Sequence, residues 1–168
     1  MHVLPAEAMK KVFLLLIGLI FIVLPSRAAY LLIPMDNTQN NHLKAYGVAY
    51  FVLQREVEIS WLLNYKGGSY LIPYHEMFER ECKMRSVTYQ VIADAQADAI
   101  LAQIADPAVN MDEMKLQKVP KVAVYAPKNS LPWDDAVTLV LTYAEIPYDI
   151  VYDDEAAAYG SSSFPDKP

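Results

Sequence analysis

Cysteine is almost missing from this chain of 168 residues; Cys82 stands alone, so no intrachain disulfide is available. Glycine is scarce as well, with five in all, and none falls into a G-x-G-x-x-G or Walker-A spacing. That removes the usual dinucleotide and nucleotide loops. Three histidines, none in an H-x-x-x-H pair, leave no recognisable metal-ligand pattern, and no metal or cofactor is implied. No G-x-S-x-G or G-x-C-x-G elbow occurs, so an acyl-enzyme mechanism has no evident nucleophile. Basic stretches with interleaved aromatics are lacking too. With a formal charge of −6 the surface repels phosphate backbones, which excludes nucleic acid as an expected partner.

Long hydrophobic runs are also missing, with one short exception. Val12 to Leu24 is apolar apart from Gly18, preceded by Lys10-Lys11 and followed by Ser26-Arg27-Ala28. Thirteen residues are too few to span ~30 Å of hydrocarbon as a helix. A basic start, an apolar middle and small residues before Ala29 describe an export signal over residues 1–28, with Met9 as an alternative start. A retained anchor is the competing reading. Cleavage before Ala29 removes Glu7, Lys10, Lys11 and Arg27 and leaves a charge of −8. The expected product is periplasmic or secreted, with no stable membrane anchor after cleavage. At the other end, "AAAYGSSSFPDKP" (156–168) loses all periodicity and reads as a disordered or aberrant tail.

Between these ends, strand-like and helix-like segments alternate. Tyr30 to Ile33, "EISWLL", "VTYQVI", "KVAVYA" and "YDIVY" read as strands. Helices are expected from Thr38 or Asn41 to Gln54, from His75 to Arg85, from Ala95 to Ala105 capped by Asp94, and over "LPWDDAVTLVLTYAE". "NYKGGSYLIPYH" reads as a loop, its glycines permitting positive φ. The order β-α-β-α-β-α-β-α-β predicts an α/β fold with a mostly parallel sheet and helices on both faces, a flavodoxin-like or Rossmann-like three-layer arrangement. It divides into a first α/β half (29–106), a connector (107–120) and the start of a second half (121–155) that looks truncated.

In such sheets ligands bind beyond the carboxyl ends of the strands. Polar residues gather after each expected strand: Asp36, Gln39, Asn41 and His42 after the first, Asn64, Lys66, Gly67 and Gly68 after the second, Asp94 after the third. Lys128, Asn129, Trp133, Asp134 and Asp135 follow the fourth, and Asp153, Asp154 and Glu155 the fifth. Asp36, Gln39, Asn41, His42, Asn64, Lys66, Gly67 and Gly68, with Trp133, Asp134 and Asp135, form the candidate ligand site, suited to a polar small molecule or glycan. Each has a plainer reading. Asp36 and His42, six apart, do not share a helical face, so capping competes with an acid/base pair. Asp36, His42, His75 and Asp94 lack metal-ligand spacing. "KGGS" is an anion cradle or a simple glycine turn. Trp133 stacks on a ring or anchors its helix. Cys82, on the apolar side of a helix, fits a core thiol better than a nucleophile. Catalysis is left open.

Four stretches carry a resemblance: "YLLIPMDNTQNNHLKAYGVAY", "WLLNYKGGS", "IADPAVNMD" and "KVAVYAPKNSLPWDDAVTLVLTYAEIPYDIVYDDE". From Tyr30 to Glu155 the chain resembles a family of secreted bacterial proteins often labelled asparagine synthetase B. Glutamine-dependent asparagine synthetases need a cysteine directly after the initiator Met, where this chain has His2 or, from Met9, Lys10. They also carry an S-G-G-x-D-S loop, and Gly67-Gly68-Ser69 is not that motif. The resemblance therefore implies the family without that chemistry. From Lys121 the chain also resembles, more weakly, the opening β-α-β unit of class I glutamine amidotransferase-like folds. Members of the secreted family continue past "YDDE" into more α/β structure, which implies that this chain is a truncated or frame-shifted copy. An amidotransferase- or hydrolase-like enzyme with its catalytic half missing, and an inert fragment, are the alternatives to a binding module.

Overall fold

The computed structural model describes residues 28–125 and 136–152. In chain order these form β1 (Ala28–Ile33), α1 (His42–Leu53), β2 (Ile59–Leu63), a single 3-10 turn (Tyr65–Gly67), β3 (Ser69–Pro73), α2 (Glu76–Met84), β4 (Gln90–Ala93), α3 (Asp94–Ile104), β5 (Asp112–Leu116), β6 (Ala123–Tyr125), α4 (Ala136–Ala144) and β7 (Asp149–Val151).

The main sheet has five strands in the order β4-β1-β3-β2-β5, and every neighbouring pair is antiparallel. This overturns the expected parallel, Rossmann-like sheet, and the cause is one hairpin. "SYLIP", inside the stretch read as a loop, is β3 at the centre of the sheet. The turn before it uses left-handed backbone at Asn64 (φ 61°), Lys66 (φ 43°), Gly67 (φ 80°) and Gly68 (φ 93°). It returns the chain along β2, setting Leu71 opposite Ser60 and Tyr70 opposite Trp61. One added reversal leaves β1 and β2 running one way and β3, β4 and β5 the other.

β3 lies between β1 and β2, which α1 connects, and β1 lies between β3 and β4, which α2 connects. Two interleaved split β-α-β units of this kind make the ferredoxin-like arrangement. β5 extends it at the β2 edge. Strand residues alternate between two cores. Leu31, Ile33, Ile59, Tyr70 and Ile72 meet Ala45, Val48 and Val52 of α1 and Phe78 and Cys82 of α2. On the opposite face Leu32, Leu62, Leu71 and Ile92 meet Ala97, Ile100, Leu101 and Ile104 of α3. Because helices cover both faces, the strands are apolar on both sides, the signature that suggested parallel pairing. Leu31, Leu32, Ile33 and Leu71 are all but inaccessible; full burial of each contributes about 1.5–3 kcal/mol.

Among the described residues only β6 and β7 pair in parallel, Val124 opposite Ile150, joined through α4. This β6-α4-β7 arm rests on α1, where the last turn of α4 meets the first half of that helix. Gly47 permits the approach; a Cβ there would lie 1.8 Å from the Ala144 carbonyl oxygen. Of the expected helix starts, Asn41 is a cap, His75 caps its helix rather than opening it, and Asp94 is corrected. Asn41 caps α1 by accepting from Lys44 N–H, and His75 caps α2 by accepting from Met77 N–H. Asp94 does not cap α3 but is its first residue; Gln96 instead reaches back to accept from Ala93 N–H at 3.1 Å. Among the described residues no helix is long and apolar enough to cross a membrane.

Candidate functional site

β1 and β2 run in the same direction, so the loops that follow them meet at one end of the sheet. Met35 N–H donates to the Lys66 carbonyl at 3.0 Å, tying the loop after β1 to the β2–β3 turn. Gly67 sits against that contact, since a Cβ there would come within 2.4 Å of the Met35 carbonyl oxygen. Asp36, Gln39, Asn41, His42, Asn64, Lys66, Gly67 and Gly68 are thus brought to one edge. Asp94 is not. The hairpin reverses β4, which puts the end of that strand at the opposite edge. Trp133, Asp134 and Asp135 lie outside the described residues, as do Lys128, Asn129, Asp153, Asp154 and Glu155.

Most of these side chains are engaged in holding the loops. Gln39 is buried and its amide behaves as a strand neighbour: Nε2 donates to the carbonyls of Pro34 (2.7 Å) and Thr88 (3.2 Å), while Oε1 accepts from Thr88 N–H at 2.8 Å. Asn41 caps α1 through Oδ1 and donates through Nδ2 to the Tyr143 hydroxyl of α4 at 2.6 Å. Asn64 donates to the Asn110 carbonyl, pinning the segment before β5. Trp61 Nε1 donates to the Gly68 carbonyl at 3.0 Å. The two glycines therefore close a packed turn; Gly68 N–H already donates to Tyr65.

Asp36 and His42 do not form a carboxylate–imidazole pair. His42 Nε2 lies 3.2 Å from the Met35 carbonyl and 3.1 Å from that of Asp36; both are acceptors, so the ring presents Nε2–H to them. The Asp36 carboxylate accepts instead from Thr38, from the hydroxyl at 2.5 Å and the backbone N–H at 3.0 Å. The Thr38 hydroxyl, its N–H and the positive charge of Lys66 together hold the Asp36 carboxyl below its ordinary range. The rim thus carries an ionised carboxylate and an exposed ammonium on interlocked loops.

Among the described residues no three His, Cys, Asp or Glu side chains converge as metal ligands. Cys82 is inaccessible in the α1/α2 core, and burial pushes its thiol up to about 12. That is a packing residue, not a nucleophile. An open cavity of about 570 Å³, lined by Leu53, Gln54, Glu56, Gln117, Lys118 and Val119, sits at the far end of α1 from the loop edge.

Two charged clusters escaped the reading of the sequence. In the first, Glu79 accepts from the hydroxyls of Tyr74 and Tyr89, each at 2.9 Å, and pairs with Lys83 at 2.6 Å. Lys83 and the two hydroxyls hold the Glu79 carboxyl down at about 2. The i,i+4 pairs Glu76–Arg80, Glu79–Lys83 and Glu81–Arg85 were visible in "EMFERECKMR". In the second, Glu145, just past α4, bridges Lys44 (2.6 Å) and Arg85 (3.0 Å). No local spacing announces a contact between Lys44 and Glu145. Comparison of the chain with family models, with curated proteins and with solved structures returns no match, so function is argued from geometry.

Proposed function

We propose that the chain is an exported binding module that holds a polar small molecule or glycan at the edge formed by the loops 34–42 and 64–68, without turnover. The observation that carries this reading is the interlocked rim. Asp36 and Lys66 stand on loops cross-tied through Met35 and Lys66 main chain and stiffened by Gln39 and Gly67. A rim held in place before the ligand arrives loses little freedom on binding. Opposite charges on one preformed rim suit hydroxyl-rich or zwitterionic ligands. A charge-assisted hydrogen bond is worth roughly 1.5–3 kcal/mol, so Asp36→Ala or Lys66→Ala is expected to weaken binding by about tenfold or more. Calorimetric titration of sugars, amino acids and short peptides reads this directly. Binding that survives both substitutions unchanged refutes the site.

A second reading has its own observation. Leu139, Val140 and Tyr143 of α4 and Ile150 of β7 are exposed on a two-stranded parallel pair. Parallel strands are ordinarily covered on both faces. This supports the arm as the opening unit of a larger α/β domain, in line with the resemblance to secreted proteins labelled asparagine synthetase B and to amidotransferase-like folds. The chain is then the N-terminal part of an amidotransferase- or hydrolase-like enzyme. Glutamine or glycan hydrolysis by a longer relative, and not by this chain, is the expected result; equal activity in both contradicts it.

A further inference from the structure

Polar groups ring the contact between the arm and the ferredoxin-like body. Ala144 is the only described residue of α4 that is fully buried, and it faces Gly47, which offers no side chain. Around that point the named contacts are Asn41 to Tyr143, Lys44 to Glu145 and Arg85 to Glu145. Beside them a space of about 170 Å³ separates Tyr50 of α1 from Lys121, Val122, Pro147, Tyr148 and Asp149 of the arm. At the far side of that space the Tyr50 hydroxyl donates to the Pro120 carbonyl at 3.1 Å, at the entry to β6, so the arm is tied at its base and at the last turn of α4.

The charges are unequal in burial. The side chain of Arg85 is 10% exposed and that of Lys44 17%, whereas that of Glu145 is 49% exposed. Glu145 also sits at φ 59°, a left-handed conformation that costs a non-glycine residue, and its carboxylate closes onto both cations from there. Arg85 is shared, its Nε pairing with Glu81 of α2 at 3.0 Å. Nη1 of Arg85 finds no hydrogen-bond partner among the described residues. Docking thus brings two mostly buried cations against one half-exposed anion.

We propose that Glu145 is an electrostatic latch that clamps the β6-α4-β7 arm onto α1 through Lys44 and Arg85, and that the arm swings off as a unit when this charge is removed. The groups facing Glu145 are Lys44 from α1 and Arg85 from the end of α2, with Glu81 behind Arg85. Release frees the Asn41 amide from Tyr143 and leaves the two cores of the main sheet intact.

The test uses the full chain with spin labels at Arg80→Cys on α2 and Ala136→Cys on α4, both exposed positions, the inaccessible Cys82 remaining unlabelled. The parent is expected to give one short distance by pulsed dipolar spectroscopy. Glu145→Gln should raise a longer population several-fold, as loss of the anion shared by two cations in a half-exposed cluster does, with the far-UV spectrum unchanged. Glu81→Gln, which removes the Arg85 partner on the body, should leave the short distance in place. Should Glu145→Gln fold poorly, the parent in molar salt must show the same shift. An unchanged distance in both Glu145→Gln and molar salt overturns the latch, as does equal release by Glu81→Gln.

Discussion

Gly47→Ala separates the docked arm from any account in which α4 lies elsewhere. Glycine in the middle of a helix costs roughly 0.5–1 kcal/mol relative to alanine. Gly47 lies in the middle of α1. If nothing faced it, the substitution would therefore stabilise the protein by that amount. The new Cβ, however, would lie 1.8 Å from the Ala144 carbonyl oxygen and 3.0 Å from Arg85 Nη1. The first is main chain at the end of α4 and has no rotamer by which to move aside. Overpacking of this sort costs about 1–3 kcal/mol, so the net effect on the docked state runs from near zero to about 2.5 kcal/mol destabilising. The arm has a cheaper exit than global unfolding, which is to leave. Amide hydrogen exchange on Gly47→Ala is expected to show lost protection over 136–146, with α1, α2 and the five-stranded sheet still protected. Denaturant midpoints followed by Trp61 fluorescence in a Trp133→Phe background should hold or rise slightly. A variant stabilised by 0.5–1 kcal/mol whose α4 keeps its protection would refute the packing of α4 against Gly47.

Gln39→Ala removes an amide whose partners are the backbone of Pro34, Thr88 and Asn41; leaving those groups unsatisfied near the core should cost about 1–3 kcal/mol in urea denaturation, and a neutral variant would show that the loop is not pinned there. Glu79 has a depressed folded-state carboxyl, at about 2 against an ordinary 4.5. Its contribution to stability is therefore present above the ordinary value and is lost as pH falls through the depressed one, so Glu79→Gln should flatten the acid limb of stability between pH 5 and pH 2. An acid limb identical to that of the parent would remove Glu79 from the account. If residues 1–28 are an export signal, mass spectrometry of secreted protein should find Ala29 at the amino terminus. The pairs from Tyr30 onward survive that cut and only Ala28 opposite Ala93 is lost, so an intact Met1 or Met9 terminus contradicts export by cleavage.

The helices of the first half were legible because they obey local rules: polar entries at Asn41 and His75, and an apolar stripe on α2 through Phe78 and Cys82. β3 was not, because Ser69–Pro73 is short, follows two glycines and is buried on both sides, so it shows neither alternation nor length. Missing it inverted β4 relative to β1 and β2. That is why Asp36 and Lys66 were placed correctly together while Asp94 was assigned to the wrong end. β5 was hidden for the opposite reason. "DEMKL" is largely charged, the mark of an edge strand kept from pairing further, and it resembles a linker. Lys115 of that strand reaches the buried Ser60 hydroxyl across the pair, at 2.8 Å, a contact that only the register reveals. Contacts joining Asn41 to Tyr143 and Lys44 to Glu145 depend on tertiary docking and leave no periodic trace.

The antiparallel centre of the sheet places the two site loops, reverses Asp94 and sets the helical face on which the arm rests. Cross-strand nuclear Overhauser contacts between α-protons test it most directly. Contacts linking β1 to β3 around Leu32 and Leu71, and β1 to β4 around Leu31 and Val91, are predicted by the register. Direct β1–β2 contacts in a parallel pattern, with Ser69–Pro73 outside the sheet, would contradict the fold and the site built on it.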